Sequence, residues 1–130
     1  MKKFSDLKNP IFEQTYSVRD PAAIYVHNQF HLFFTCVRRI GRDYRYYVGT
    51  CQTHDFKKYS RVEFITPEGY ASPGNVIYHN GEWVLCCQSY RCLPGKLVAG
   101  DDCRLFLMYS KDLKNWSKPQ IISAEGAKSK

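Results

Sequence analysis

No run in this sequence approaches the ~18 consecutive apolar residues that a helical membrane span needs, so a soluble chain with no membrane partner is expected. The amino end, MKKFSDLKNPIFEQ, has two lysines but no apolar run behind them, and no secretion signal is expected. Cys-x-x-Cys is missing: Cys36, Cys51, Cys86, Cys87, Cys92 and Cys103 form no such pair, which argues against a zinc ribbon or a redox motif. Four of the six lie in strand-like runs, so they read as reduced, buried thiols of a cytoplasmic protein. Ser72 and Ser89 lack a Gly-x-Ser-x-Gly setting, so nucleophilic serine chemistry is not supported. His27, His31, His54 and His79 match no ligand spacing, and no metal or cofactor is expected.

Acid is the scarcer charge, with 12 Asp and Glu against 19 Lys and Arg and a formal net charge of +7. Much of the excess sits in Arg38, Arg39, Arg42 and Arg45, in Lys57 and Lys58, and in the ends Lys2, Lys3, Lys128 and Lys130. Scattered over turns and tails, these charges read as a solvated surface, and no nucleic-acid partner is expected.

What the chain does have is strand-forming material. It is 44% apolar and 15% aromatic, mostly Tyr and Phe, in 130 residues, enough for a core and biased toward β structure. The stretch Val18–Thr35, VRDPAAIYVHNQFHLFFT, organises the rest. Asp20 stands between Arg19 and Pro21, and a residue before proline is pushed toward extended backbone, so Asp20 is expected at the mouth of a strand Ala22–Val26. That strand turns through His27-Asn28-Gln29 onto Phe30–Cys36. A basic loop Val37–Asp43, a third strand Tyr44–Cys51, a polar corner Thr53–Ser60 and a fourth strand Arg61–Ile65 follow. Met1–Tyr16, with its Asn9-Pro10 turn signal, reads as an irregular lead-in across the outside.

The series then repeats. Ala23-Ile24-Tyr25 is echoed by Val76-Ile77-Tyr78, and Phe30-x-Leu32 by Trp83-x-Leu85, each 53 residues on. The second copy has Asn80-Gly81, well suited to a type I′ turn. Thr53–Tyr59 returns as Ser110–Trp116 and Arg61–Ile65 as Lys118–Ile122, now 57 residues on. The four extra residues fall in the loop Arg91–Asp102. A repeat of about 55 residues with four short strands is the signature of propeller blades. The expected units are a lead-in over 1–17, a first blade over about 18–66 and a second over about 70–123. Two blades close no ring, so the chain reads as the amino-terminal portion of a longer protein, with uncovered edges that favour self-association.

In a propeller the innermost strands line a central channel, and the residues entering them face its mouth. Repeat alignment places Arg19-Asp20-Pro21-Ala22 and Ser72-Pro73-Gly74-Asn75 there. Asp20 is the candidate catalytic carboxylate, a general base that Arg19 could help keep ionised; a capping or turn aspartate is the equal alternative. Ser72, Asn75, Gln88 and Tyr90 could hydrogen-bond a polar ligand such as a sugar. Tyr70 and Trp83 could stack on it, although Trp83 fits the core better. Asp101 and Asp102, in the long loop, are as consistent with solvation as with function.

VRDPAAIYVHNQFHLFFT, YASPGNVIYHNGEWVLCCQSY and LFLMYSKDLKNWSKPQII resemble the first two blades of the five-bladed β-propeller glycoside hydrolases of family 43 and their relatives in family 32. The resemblance runs from about Val18 to Ile122 and implies an all-β fold of about two four-stranded blades of a five-bladed propeller. The Ser-Lys-Asp-Leu-x-x-Trp corner marks blades. The Asp-Pro opening the first inner strand belongs in family 43 to the catalytic base, and that role falls here on Asp20. Two departures follow. Asn75 stands where an aspartate that tunes the acid is common, and the general acid, a glutamate of a later blade, is not in this chain; Glu82, at a hairpin turn, does not replace it.

The resemblance implies a carbohydrate substrate, an α-L-arabinoside or β-xyloside of plant polymers, cleaved with inversion by water activated at Asp20. That geometry needs carboxyl groups ~6.5–9.5 Å apart. A family 32-like fructosidase would use Asp20 as nucleophile, and a propeller phosphorylase acting on mannosides is a further enzymatic alternative. A non-catalytic carbohydrate-binding or inactive propeller fragment is the rival from another class.

Overall fold

The computed structural model describes residues 4–8 and 10–122. The basic ends Lys2, Lys3, Lys128 and Lys130, Asn9 of the turn signal, and Ser123 at the bound of the second blade lie outside them.

Two tight turns organise the strands. His27-Asn28 has φ of 52° and 61°, Asn80-Gly81 of 50° and 81°. Positive φ at both central residues is the type I′ pattern, whose twist matches that of the flanking strands. His and Asn tolerate left-handed backbone better than most residues, so the first hairpin takes the turn that only the second advertises in its sequence.

Around the first turn, β1 (Ser17–Val26), β2 (Gln29–Ile40), β3 (Asp43–Thr53) and β4 (Glu63–Phe64) form an antiparallel sheet in sequence order. Around the second, β6 (Val76–His79) pairs with β7 (Glu82–Ser89), followed by β8 (Leu105–Ser110) and β9 (Gln120–Ile121). A short β5 (Tyr70–Ala71) also pairs with β7 and continues the line of β6. Among the described residues a 3-10 turn at Phe4–Asp6 is the only helical structure.

Three boundaries differ from expectation. The inner strand begins at Ser17, not Ala22, because Ser17, Val18 and Arg19 pair with Val37, Cys36 and Thr35 ahead of the proline. The basic loop 37–43 shrinks to Gly41 and Arg42: Arg38 pairs with Arg45 and Arg39 with Tyr44, solvent-facing positions where charge is no obstacle to a ladder. Arg39 lies over the Tyr44 ring at 5.8 Å and donates to the Gly41 carbonyl at 3.2 Å. The outer strands shrink to two residues each; Pro119, just ahead of β9, has no N–H to donate to a ladder.

The corners after β3 and β8 are built alike. Thr53 Oγ1 accepts the N–H groups of Asp55 and Phe56 at 3.3 and 2.9 Å, and Ser110 Oγ those of Asp112 and Leu113 at 3.3 and 2.9 Å. Each aspartate Oδ1 then accepts two further N–H groups, of Lys57 and Lys58 or of Lys114 and Asn115. Phe56 and Leu113 both take positive φ, 56° and 63°. The matching hydrogen bonds show these segments to be one structural unit used twice.

Strand alternation sends β2 to two faces. Phe33 and Thr35, both fully buried, face the second sheet, where Phe33 joins Val48, Val76, Leu85, Cys87, Met108 and Leu113 in the main core. Phe34 and Cys36 face the other way, under Phe12 and Tyr16 of the lead-in. Phe12 lies 5.2 Å from the Phe34 ring and 4.9 Å from that of Tyr59. Gly49 is required there: a Cβ would come within 2.6 Å of Cys36 Sγ. Burial pushes the Cys36 and Cys87 thiols up to about 12 and that of Cys51 to about 11, so all three behave as apolar groups. On the second sheet the outward face is less covered, with Ile77 55% and Ile122 51% exposed.

Candidate functional site

Asp20 does not take the extended backbone that its place before Pro21 suggests. Its φ is +55°, in the left-handed region, a conformation that costs a non-glycine residue roughly 1–2 kcal/mol. Side-chain hydrogen bonds offset that cost. The Thr35 hydroxyl donates to Asp20 Oδ2 at 2.8 Å, and the Ser72 hydroxyl approaches the same oxygen at 3.5 Å, the outer limit of a useful contact. The ladder bulges here: Arg19 pairs with Thr35 and Ala22 with Phe33, so Asp20 and Pro21 together oppose Phe34. A bulge absorbs a proline that cannot donate and re-aims the side chain beside it.

The second copy repeats the device. Ser72 has φ +52° and precedes Pro73. Ala71 pairs with Gln88 and Val76 with Leu85, so Ser72–Asn75 oppose only Cys86 and Cys87, a break longer than the first by two residues on this strand and by one on its neighbour. Gln88 Nε2 lies 3.1 Å from Ser72 Oγ, to which it donates. Thr35 and Gln88 therefore hold equivalent positions, each opposite the residue before the bulge and each donating to the side chain at it. The structural counterpart of Asp20 is Ser72. The repeat alignment, run at a constant 53, had set Ser72 against Arg19, and one extra residue between Ser72 and Val76 explains the slip.

The two copies join across the sheets. The Ser72 N–H donates to Thr35 Oγ1 at 2.7 Å, so that buried hydroxyl accepts from one sheet and must direct its own proton to Asp20. Asp20, Ser72 and Gln88 are thus brought into one chain with Thr35, which sequence reasoning passed over. A signal existed: Thr35 is a hydroxyl inside an apolar run, and the His27-Asn28 turn without a bulge would set it directly opposite Asp20. A buried hydroxyl needs a partner.

The remaining candidates lie apart from that chain. Asn75 is exposed and takes part in none of its hydrogen bonds. Arg19 lies over the Tyr46 ring, 5.7 Å from its centroid, and Tyr90 packs on the same ring at 4.6 Å. Tyr46 donates its hydroxyl to the Leu97 carbonyl at 3.2 Å. Burial pushes that hydroxyl's pKa up, and nearby Asp20 adds to the rise while Arg19 opposes it. Tyr70 is engaged edge-on with Phe106, and Trp83 lies tilted against Tyr78, both as packing groups. His31 is buried, its pKa lowered chiefly by burial, and its Nδ1 lacks a hydrogen-bond partner among the described residues.

A recess among the described residues lies elsewhere, an open cleft of about 1260 Å³ beside the start of β1. Asp20 is not on its wall, and Arg19 is what connects the two places. Volume and hydrogen bonding thus point to different spots. The hydrogen bonds fix an ionisable group at a strained bulge. Asp20 is exposed, and with Oδ2 held by Thr35 its Oδ1 is free of these bonds, an acceptor open to water.

Comparison with known proteins gives fold-level likeness. No family model matches the chain, and no curated protein matches it in sequence. Among solved structures it is similar to the catalytic domain of a Coprinopsis cinerea family 62 α-L-arabinofuranosidase, with TM-score 0.57 and 17% identity over 81% of this chain and 31% of that one. It is also similar to a family 43 β-xylosidase/α-arabinofuranosidase from a compost microbial metagenome, solved with xylotriose, with TM-score 0.58 and 12% identity over 93% and 39%. A Bombyx mori family 32 β-fructofuranosidase gives TM-score 0.59 and 16% identity over 85% and 24%. The fold is that of two propeller blades. The solved likenesses are propeller glycoside hydrolases, and the chain spans between a quarter and two fifths of their length.

Proposed function

We propose that the chain supplies the base-bearing blades of a glycoside hydrolase acting on α-L-arabinosides or β-xylosides. The observation that carries this reading is the carboxylate of Asp20, held at a strand bulge by a buried threonine with one oxygen left open to solvent. Asp20 accepts the proton of a water that attacks the anomeric carbon, and an acid from another part of the enzyme protonates the departing oxygen. With room for that water the two carboxyl groups stand ~6.5–9.5 Å apart and the product is inverted. Ser72 and Gln88 offer hydroxyl and amide groups beside the base for sugar hydroxyls. The six free thiols, of which Cys36, Cys51 and Cys87 are buried, support a reducing, cytoplasmic setting.

A second reading, a non-catalytic carbohydrate-binding unit, is favoured by one observation: among the described residues Asp20 is the only carboxylate in its hydrogen-bonded cluster. Asp20→Asn separates the two. In the enzyme that carries this chain, it should lower kcat on aryl arabinosides and xylosides by ~10²–10⁴-fold with little change in melting temperature. Full retained activity would make Asp20 a turn residue. Saccharide binding without turnover in the wild type would favour the second reading.

A further inference from the structure

The geometry points to an anion-recognising groove for an acidic saccharide in the cleft beside the start of β1. Four arginines that sequence reading scattered over turns and strands, Arg19, Arg38, Arg39 and Arg61, converge on its wall, and Glu63 is the one carboxylate among the residues that line it. Arg38, Arg39 and Arg61 are exposed, and although Arg39 gives its Nε–H to the Gly41 carbonyl, its terminal nitrogens still face the cleft side with the other two guanidinium groups. A guanidinium presents a planar fork that fits a carboxylate or sulfate bidentately. At about 1260 Å³ the cleft exceeds the roughly 300–1,000 Å³ of ordinary small-molecule pockets. It suits an extended chain bearing several anionic groups.

The aromatic walls favour a saccharide over a nucleic acid. Single-stranded nucleic acids bind by stacking bases on open aromatic faces. Here the Phe64 ring is stacked on Tyr47 at 4.7 Å and 14° and meets Tyr16 edge-on at 5.8 Å. Tyr44 has the Arg39 guanidinium over its face. With those rings already engaged, the cleft offers forks for anions without platforms for bases. The inference rests on the glycoside-hydrolase reading for the polymer class, and on the arginines for its charge. Arg19, one residue from Asp20, would let the acidic chain run from the groove toward the base.

Titration calorimetry of the 130-residue chain tests this with hexagalacturonate, a sulfated hexasaccharide, neutral xylohexaose and an oligothymidylate. Hexagalacturonate should bind at least about tenfold tighter than xylohexaose and weaken as salt rises. Arg38→Ala combined with Arg61→Ala should cost at least about tenfold, the worth of one charge-assisted bond or more. Arg45→Ala, exposed on β3 and off the cleft, should change affinity less than about twofold. A sulfated probe that outbinds hexagalacturonate would keep the groove and identify its anion as a sulfate ester. Equal binding of xylohexaose, an equal loss from Arg45→Ala, or tighter binding of oligothymidylate would overturn the proposal. Asp20→Asn should leave hexagalacturonate binding intact, so failure of the groove and failure of the hydrolase reading register separately.

Discussion

The two sheets agree at their corners and diverge at their mouths. After β3 and β8 a hydroxyl, an aspartate two residues on and a left-handed residue after it close the same turn, with the same four backbone N–H groups held. At the mouth each copy again places a left-handed residue before a proline with a donor on the neighbouring strand, but the first copy has Asp20 and the second Ser72. The bulge also lengthens, so that β1 runs unbroken for ten residues while its counterpart is split into β5 and β6. Such a pattern separates scaffold from site. A corner must be satisfied in every blade, whereas the side chain at the bulge differs between the two, a carboxylate in one and a hydroxyl in the other.

The largest stability effect expected from this comparison lies between the sheets. Phe33 is fully buried and meets Trp116 edge-on at 5.6 Å across the interface. Phe33→Ala should cost about 3–5 kcal/mol, from lost burial plus the cavity left behind. Ile77 lies on the outward face of the second sheet, 55% exposed. Ile77→Ala should cost under about 1 kcal/mol. Urea unfolding of the two variants measures both. Equal losses would mean that the outward face is covered in solution, by a second copy or otherwise.

A smaller effect tests whether the corners are one unit. Thr53→Ala and Ser110→Ala each remove a buried oxygen that accepts two backbone N–H groups, and each should cost about 1–2 kcal/mol. Similar losses from the two variants support equivalence. A loss confined to one would show that the shared geometry hides unequal support from the surroundings, Tyr59 and the lead-in on one side and Trp116 on the other.

Much of this was legible in the residues. The order of strands and the corner motif follow from periodicity and from Thr/Ser-x-Asp spacing. The backbone at Asp20 did not follow, because a local rule for residues before proline was overruled by a tertiary partner, Thr35, whose hydroxyl is itself fixed by Ser72 from the other sheet. Likewise the arginine groove was hidden. Arg19, Arg38, Arg39 and Arg61 are spread over more than forty positions, and only the folded first sheet, with the segment leading into β4, brings them to the wall of one cleft. Side-chain identity gave the parts, but cross-sheet contacts decided which parts meet.

The smallest predicted effect concerns a difference between the otherwise matching corners. Asp112 accepts the N–H groups of Lys114 and Asn115 at 2.9 and 2.8 Å and also the Asn115 side-chain amide at 2.8 Å, a donor that Lys58 cannot copy in the first corner. These bonds, the Asn115 backbone first, hold its carboxyl well below the usual carboxylate range. A folded-state value below the unfolded one means that the unfolded chain binds more protons in acid. The stabilisation is therefore fully present above the unfolded value of about 3.9 and is lost as pH falls from there toward the folded value. Asp112→Asn should melt below the wild type at neutral pH, and the gap should narrow as the solution is taken below about pH 4. Asn115→Ala, which removes the side-chain donor and keeps the backbone bonds, should show the same narrowing on a smaller scale. Melting curves across that range decide the matter: a gap that stays constant with pH would mean that Asp112 supports the corner by shape rather than by charge.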